Sequence, residues 1–184
     1  MRDYIIMTDS CCDLSQQEVE ELELTVLPLS FTIEGKTLLN TPDHADMSPE
    51  EFFAKIAAGA DCTTAAVNVG QFTDAMEKVL QEGKDILCVC FSSALSTTYQ
   101  SACIAAEDLR EKYPEAKILV IDSLSASRGQ GMLLYRAVRE RREKNLTIDE
   151  LDAYVRSIIQ SQCHWFIDNP QSNSFHFTAE FTCK

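Results

Sequence analysis

Short apolar runs alternate with stretches of helical period along most of this chain. Tyr4 to Met7 is one such run; it ends in Thr8, Asp9 and Ser10 and predicts a buried strand that delivers polar residues to its C-terminal end. A helix is expected next, because Ser15 with Glu18 forms a capping box ahead of Val19 and Leu22. Val26 to Ile33 and Thr37 to Leu39 predict extended chain that turns back on itself at Glu34 and Gly35. Ser48, Pro49 and Glu51 supply the cap and first turn of another helix, whose apolar positions include Phe52, Phe53 and Ile56.

Beyond a polar loop holding Thr63, Thr64 and Asn68, the pattern predicts helices over Gln71 to Gln81, Ser96 to Tyr113 and Gly129 to Arg142. Between them Ile86 to Phe91 and Ile118 to Ile121 are continuous apolar runs, the signature of strands buried on both faces. Thr147 and Glu150 open a last helix carrying Leu151, Tyr154, Val155, Ile158 and Ile159 on one side. Alternation at this spacing predicts an α/β domain: a mostly parallel sheet with helices on both faces and right-handed crossovers. The helical period stops near Trp165. Residues 1–166 are therefore expected to form the domain, and 167–184 an edge strand and irregular tail, remnant of or replacement for a second domain.

The 184 residues suffice for one good core, and a net charge of −13 disfavours nucleic acid and anionic membrane surfaces. No run of about eighteen apolar residues is present, as a membrane helix would need. With no secretory leader, no CxxC and no zinc-finger spacing, the eight cysteines read as reduced thiols in a cytoplasmic protein. Cys88 and Cys90 fall on one strand face as core residues, and the vicinal Cys11 and Cys12 have no basic neighbour to activate them. The basic run Arg136, Arg139, Arg141, Arg142 and Lys144 suits a helix C-terminus; docking to an acidic partner is the sharper reading.

Chemistry is expected at the carboxyl ends of the strands, where ligands of open parallel sheets bind. Thr8, Asp9 and Ser10, the run Ser92 to Thr98, and Asp122, Ser123 and Ser125 fall there. Hydroxyls and free N–H groups at helix starts suit a small anion, although each Ser or Thr taken singly is an ordinary cap. Five hydroxyls in the seven residues from Ser92 to Thr98 exceed what one helix start requires. A hydrolase using Ser93 or Ser96 is the competing reading, but G-x-S-x-G is absent and His44, His164 and His176 each have an ordinary structural explanation. Asp9 with Asp122 is a candidate magnesium pair, against the commoner role of capping carboxylates. No P-loop or GxGxxG is present, and no cofactor is expected.

Several blocks together resemble the DegV family, fatty-acid-binding proteins that serve bacterial fatty acid kinases. They are Thr8-Asp9-Ser10 with Asp13-Leu14; Val26 to Gly35; Ser48-Pro49-Glu50-Glu51-Phe52-Phe53; Gly70-Gln71-Phe72; Ser92 to Ala102; and Val120 to Ser123 with Ser125 and Ala126. The resemblance implies a long-chain fatty acid whose carboxylate is held by Thr64 and Ser96, with Ser93 a neighbour. It also implies that a partner kinase supplies ATP and the phosphoryl chemistry, leaving this chain non-catalytic. Ala65, Ala66 and Val67 stand where the family usually has Ser-Gln-Pro. The family's second domain, with its Leu-rich and Gly-Gly-Arg opening, has no counterpart between Ile167 and Lys184, so truncation or a shifted reading frame, and with it a domain that no longer binds, is among the expectations.

Overall fold

Side chains that point alternately to the two faces of the main sheet build two cores on it. The computed structural model describes residues 2–162 and contains seven strands and six helices among them. The strands are β1 (Tyr4–Asp9), β2 (Leu24–Leu27), β3 (Leu29–Ile33), β4 (Lys36–Asn40), β5 (Cys62–Ala65), β6 (Asp85–Cys90) and β7 (Ile118–Asp122). The helices are α1 (Gln16–Glu21), α2 (Pro49–Ala57), α3 (Val69–Gln81), α4 (Thr98–Lys112), α5 (Ser127–Lys144) and α6 (Ile148–Ile159), with a 3-10 turn over Ser10–Cys12. Four parallel strands form the main sheet in the order β2-β1-β6-β7. Every residue of β6 is buried, as its uninterrupted apolar run predicts. Ile86, Cys88 and Cys90 face α3 and α4, whereas Leu87 and Val89 face the core shared with α5 and α6. The helices thus cover both faces, as expected. The Cys88 and Cys90 sulfurs lie 3.5 Å apart in the first of these cores.

The local signals explain where the helices start. Ser15 and Thr147 form the capping boxes expected with Glu18 and Glu150, and Ser48 caps α2 through the Glu51 N–H. Helix α3 begins two residues earlier than the apolar period suggests, because Asn68 and Gln71 form a further capping box, with reciprocal bonds of 3.0 Å. Asn68 is therefore a cap and not a loop donor. Helix α5 likewise extends past both expected ends, to Ser127 and Lys144.

A second, antiparallel sheet of order β4-β3-β5 departs from the sequence reading. The hairpin at Glu34 and Gly35 is as expected, both residues having positive φ (50° and 77°), the primed-turn geometry. The polar segment with Thr63 and Thr64, expected as a loop, instead adds β5 to β3, with Thr64 opposite Phe31. A run of two threonines between Cys62 and Ala65 has good strand propensity but too little apolar alternation to announce itself. The basic residues ending α5 act within the fold. Arg141 stacks 4.1 Å over the Tyr4 ring and donates to the Tyr4 carbonyl, Arg142 donates to the Glu21 carbonyl, and Arg139 and Lys144 pair with Glu143 and Glu140.

Strand β7 closes the main sheet among the described residues, and two of its carbonyls accept from arginine side chains. Arg110 from α4 donates to the Ile118 carbonyl at 2.6 Å, and Arg156 from α6 donates to the Val120 carbonyl at 3.1 Å. Charged side chains on an edge block pairing with another chain. Replacing both arginines by alanine is therefore expected to raise self-association at constant secondary structure, measured by light scattering across a concentration series; an unchanged mass would assign them to packing alone. The predicted edge strand at Trp165, the boundary at 166, the tail 167–184, His164 and His176 lie outside the described residues.

Candidate functional site

The carboxyl ends of the parallel strands are held by the very polar residues that mark them in the sequence. Thr8 donates to the Val89 carbonyl at 2.7 Å and accepts from Gln130. The fully buried Asp9 accepts from Phe91 N–H (2.8 Å) and Cys11 N–H (3.1 Å), and its burial raises the carboxyl pKa despite these bonds. Ser10 accepts from Leu29 N–H (3.0 Å) and the Asn40 side chain (3.3 Å), which ties the small sheet to the large one. Asp122 accepts from Ser93 N–H (3.1 Å) and Leu124 N–H (3.0 Å). The segment following β6 is thus clamped from both sides, by a carboxylate at the end of each neighbouring strand.

These bonds answer several sequence expectations. Asp9 and Asp122 act on backbone donors as turn and loop caps, and the described residues contain no group of three or more His, Cys, Asp or Glu placed to hold a metal. Ser123 and Ser125 are buried, and the Ser123 hydroxyl donates to the Ser125 carbonyl and accepts from the Ser125 N–H. Ser92 is buried and caps its own turn through Ala94 N–H. Cys11 and Cys12 sit in the 3-10 turn, where burial pushes the Cys12 thiol up to about 12 and raises Cys11 as well. Neither is an activated nucleophile.

Beside this framework lies a cavity of about 690 Å³ between the strand ends, the small sheet and α2. Thr64 of β5 and Ser96 both line it, coming from segments far apart in the chain; Ser93 does not. The Ser96 hydroxyl lies 2.9 Å from that of Thr98 and accepts from Thr98 N–H, at the start of α4, whose own cap residue Thr97 makes no side-chain bond. Leu29, Phe31, Phe52, Phe53, Phe91 and Leu95 form an apolar wall, with Phe31, Phe52 and Phe53 in edge contact at 5.3 and 5.4 Å. Such a cavity, apolar over most of its wall and furnished with a few hydroxyls, suits an amphipathic ligand.

Two further lining residues escaped the sequence reading. His44, assigned from its polar neighbours to an ordinary surface loop, lines the cavity in a left-handed conformation (φ 53°). Arg128 also lines it, and one of its guanidinium nitrogens donates to both Glu18 carboxylate oxygens (2.9 and 2.8 Å), which draws the Glu18 carboxyl down to about 2. Their signal was weak, since both reach the cavity through tertiary packing of segments distant in the chain. The aromatic pair Phe52-Phe53 gave more warning, being two adjacent large apolar residues at the centre of a nine-residue helix.

No described helix is long and apolar enough to cross a membrane. A DegV domain-containing protein of Clostridium perfringens is 36% identical over 166 residues, covering 90% of this chain and 56% of its own. The chain thus spans little more than half the length of that relative. The fold is similar to a structure described as a stearic acid-binding protein from Eubacterium ventriosum, with a TM-score of 0.75 and 26% identity over 83% of this chain and 52% of that one. It is similar also to a Thermus thermophilus DegV family protein described for its fatty acid binding, again with a TM-score of 0.75, at 28% identity over 87% and 54% of the two chains. The profile of the DegV family of uncharacterised proteins matches residues 4–169, and the chain belongs to that family.

Proposed function

We propose that this chain binds a long-chain fatty acid, its carboxylate held by Thr64 and Ser96, and that it presents the carboxylate to a partner fatty acid kinase without itself catalysing a reaction. The observation that carries the reading is one cavity shared by Thr64, Ser96 and the phenylalanine wall. Two hydroxyl donors, one of them Ser96 at a helix start, compensate a carboxylate that would be costly to bury alone, and the aromatic wall removes the acyl chain from water. The fatty-acid-binding descriptions of the two similar structures support the same ligand class. Six free thiols among the described residues suit a cytoplasmic setting. The hydrolase alternative finds less support: the hydroxyl partner of Ser96 is Thr98, not a histidine.

The test is mass spectrometry of the organic extract of the purified chain, set beside a Thr64→Ala, Ser96→Ala double variant of equal foldedness. The parent is expected to release long-chain fatty acid near one per chain. Loss of two charge-assisted hydrogen bonds should weaken binding on the order of a hundredfold and deplete the variant. A folded parent that neither carries nor takes up fatty acid would sink the assignment.

A further inference from the structure

Helix α2 stands apart from the rest of the fold. Its nine residues place Phe52, Phe53 and Ile56 among charged neighbours, yet none of its side chains is buried, and Phe53 is 65% exposed. A helix this short is marginal on its own and depends on packing an apolar face. Here two fastenings are seen. Phe52 meets Phe31 of β3 edge-on at 5.3 Å, and Lys55 pairs with Glu34 in the β3–β4 turn at 2.8 Å. The ion pair is exposed and contributes little. The helix is bracketed by His44 (φ 53°) and by Gly59 (φ 91°), the latter ending it with Gly59 N–H to Ile56 and Ala60 N–H to Lys55 bonds. Phe52 and Phe53 nevertheless line the cavity that holds Thr64 and Ser96.

We propose that α2 is a movable wall of the acyl-chain subsite: Phe52 and Phe53 close over a long acyl chain, so that ligand and helix order one another. This rests on the fatty-acid reading above. The head-group end is fixed by the bonds of Asp9, Ser10 and Asp122, whereas the tail end is lined by an element with little packing of its own. Adaptation to the ligand therefore falls to α2. Phe53 contributes through chain length, since only a chain long enough to reach it gains its contact.

Amide exchange on the intact chain, free and with palmitate, tests the proposal, with bound palmitate quantified in the same samples. In the free chain the α2 amides are expected to exchange at least about a hundredfold faster than those at the centre of α3, which is packed in the core. Saturating palmitate should slow α2 by about tenfold or more and leave α3 unchanged. Phe53→Ala, at an exposed position that folding does not require, should weaken palmitate roughly tenfold and octanoate by less than about twofold. Free-state protection of α2 equal to that of α3 overturns the movable wall whatever binds. Palmitate binding without slowing of α2, or an equal loss for both chain lengths in Phe53→Ala, overturns it while leaving the fatty-acid assignment intact. If palmitate does not bind at all, both readings fall together.

Discussion

Asp9→Ala is expected to destabilise the domain by about 2–5 kcal/mol, because it leaves the Phe91 and Cys11 N–H groups facing a buried site without an acceptor. Chemical denaturation gives the number. Asp9→Asn is the sharper comparison: it keeps the volume but offers one acceptor where two are used, and should lose nearly as much. The pH dependence separates a carboxylate role from simple packing. Since burial raises the folded-state pKa of Asp9, the folded chain holds its proton more tightly than the unfolded chain. Its ionisation therefore subtracts stability as pH rises from the ordinary 3.8 through the raised value, and the loss is constant above that. That component should vanish in Asp9→Asn. A variant as stable as the parent, with unchanged pH dependence, would show that the two N–H groups find other acceptors.

The second large effect is expected at Gly131, in the first turns of α5. A methyl group there would lie 2.8 Å from the Cys12 carbonyl oxygen and 3.0 Å from a Leu14 methyl. The first contact is with backbone, in the turn that follows Asp9, so relief requires α5 and that turn to separate. Gly131→Ala should cost about 1–3 kcal/mol as an overpacking defect, despite alanine's better helix propensity. Gly70→Ala provides the control. Its added methyl meets only the Asn68 side chain, at 3.3 Å, and the cost should be markedly smaller. Equal thermal midpoints for Gly131→Ala and the parent would contradict the close approach.

The parallel sheet and its helices were legible because their determinants are local. Uninterrupted apolar runs gave β6 and β7, and capping pairs such as Thr147 with Glu150 gave helix starts that the structure reproduces bond for bond. The small sheet was only half legible. Its hairpin is encoded by Glu34-Gly35, but β5 takes its strand conformation from pairing with β3, which no local pattern in Cys62 to Ala65 reveals. The site was hard to sort for another reason. Hydroxyls that cap and hydroxyls that face a cavity look alike in sequence, and only the structure separates Ser92 and Ser123, whose hydroxyls are buried within their turns, from Thr64 and Ser96, which line the cavity. Arg128 and His44 carried little signal, because their place at the cavity depends on how distant segments converge.

The paired carboxylate clamp on the segment after β6 bears on selectivity. With Phe91 N–H held by Asp9 and Ser93 N–H held by Asp122, this stretch starts out in its working shape, and little conformational freedom remains there to be lost when a ligand arrives. A rigid receptor for one end of a molecule, joined to a yielding one for the other, sorts its guests unevenly. In the proposed function, altering the polar end to an ester or amide should be punished severely, while homologues differing by a few methylenes compete on nearly equal terms. A carrier with this division of labour draws a pool of related lipids toward a single chemical fate and leaves discrimination among them to whatever acts next.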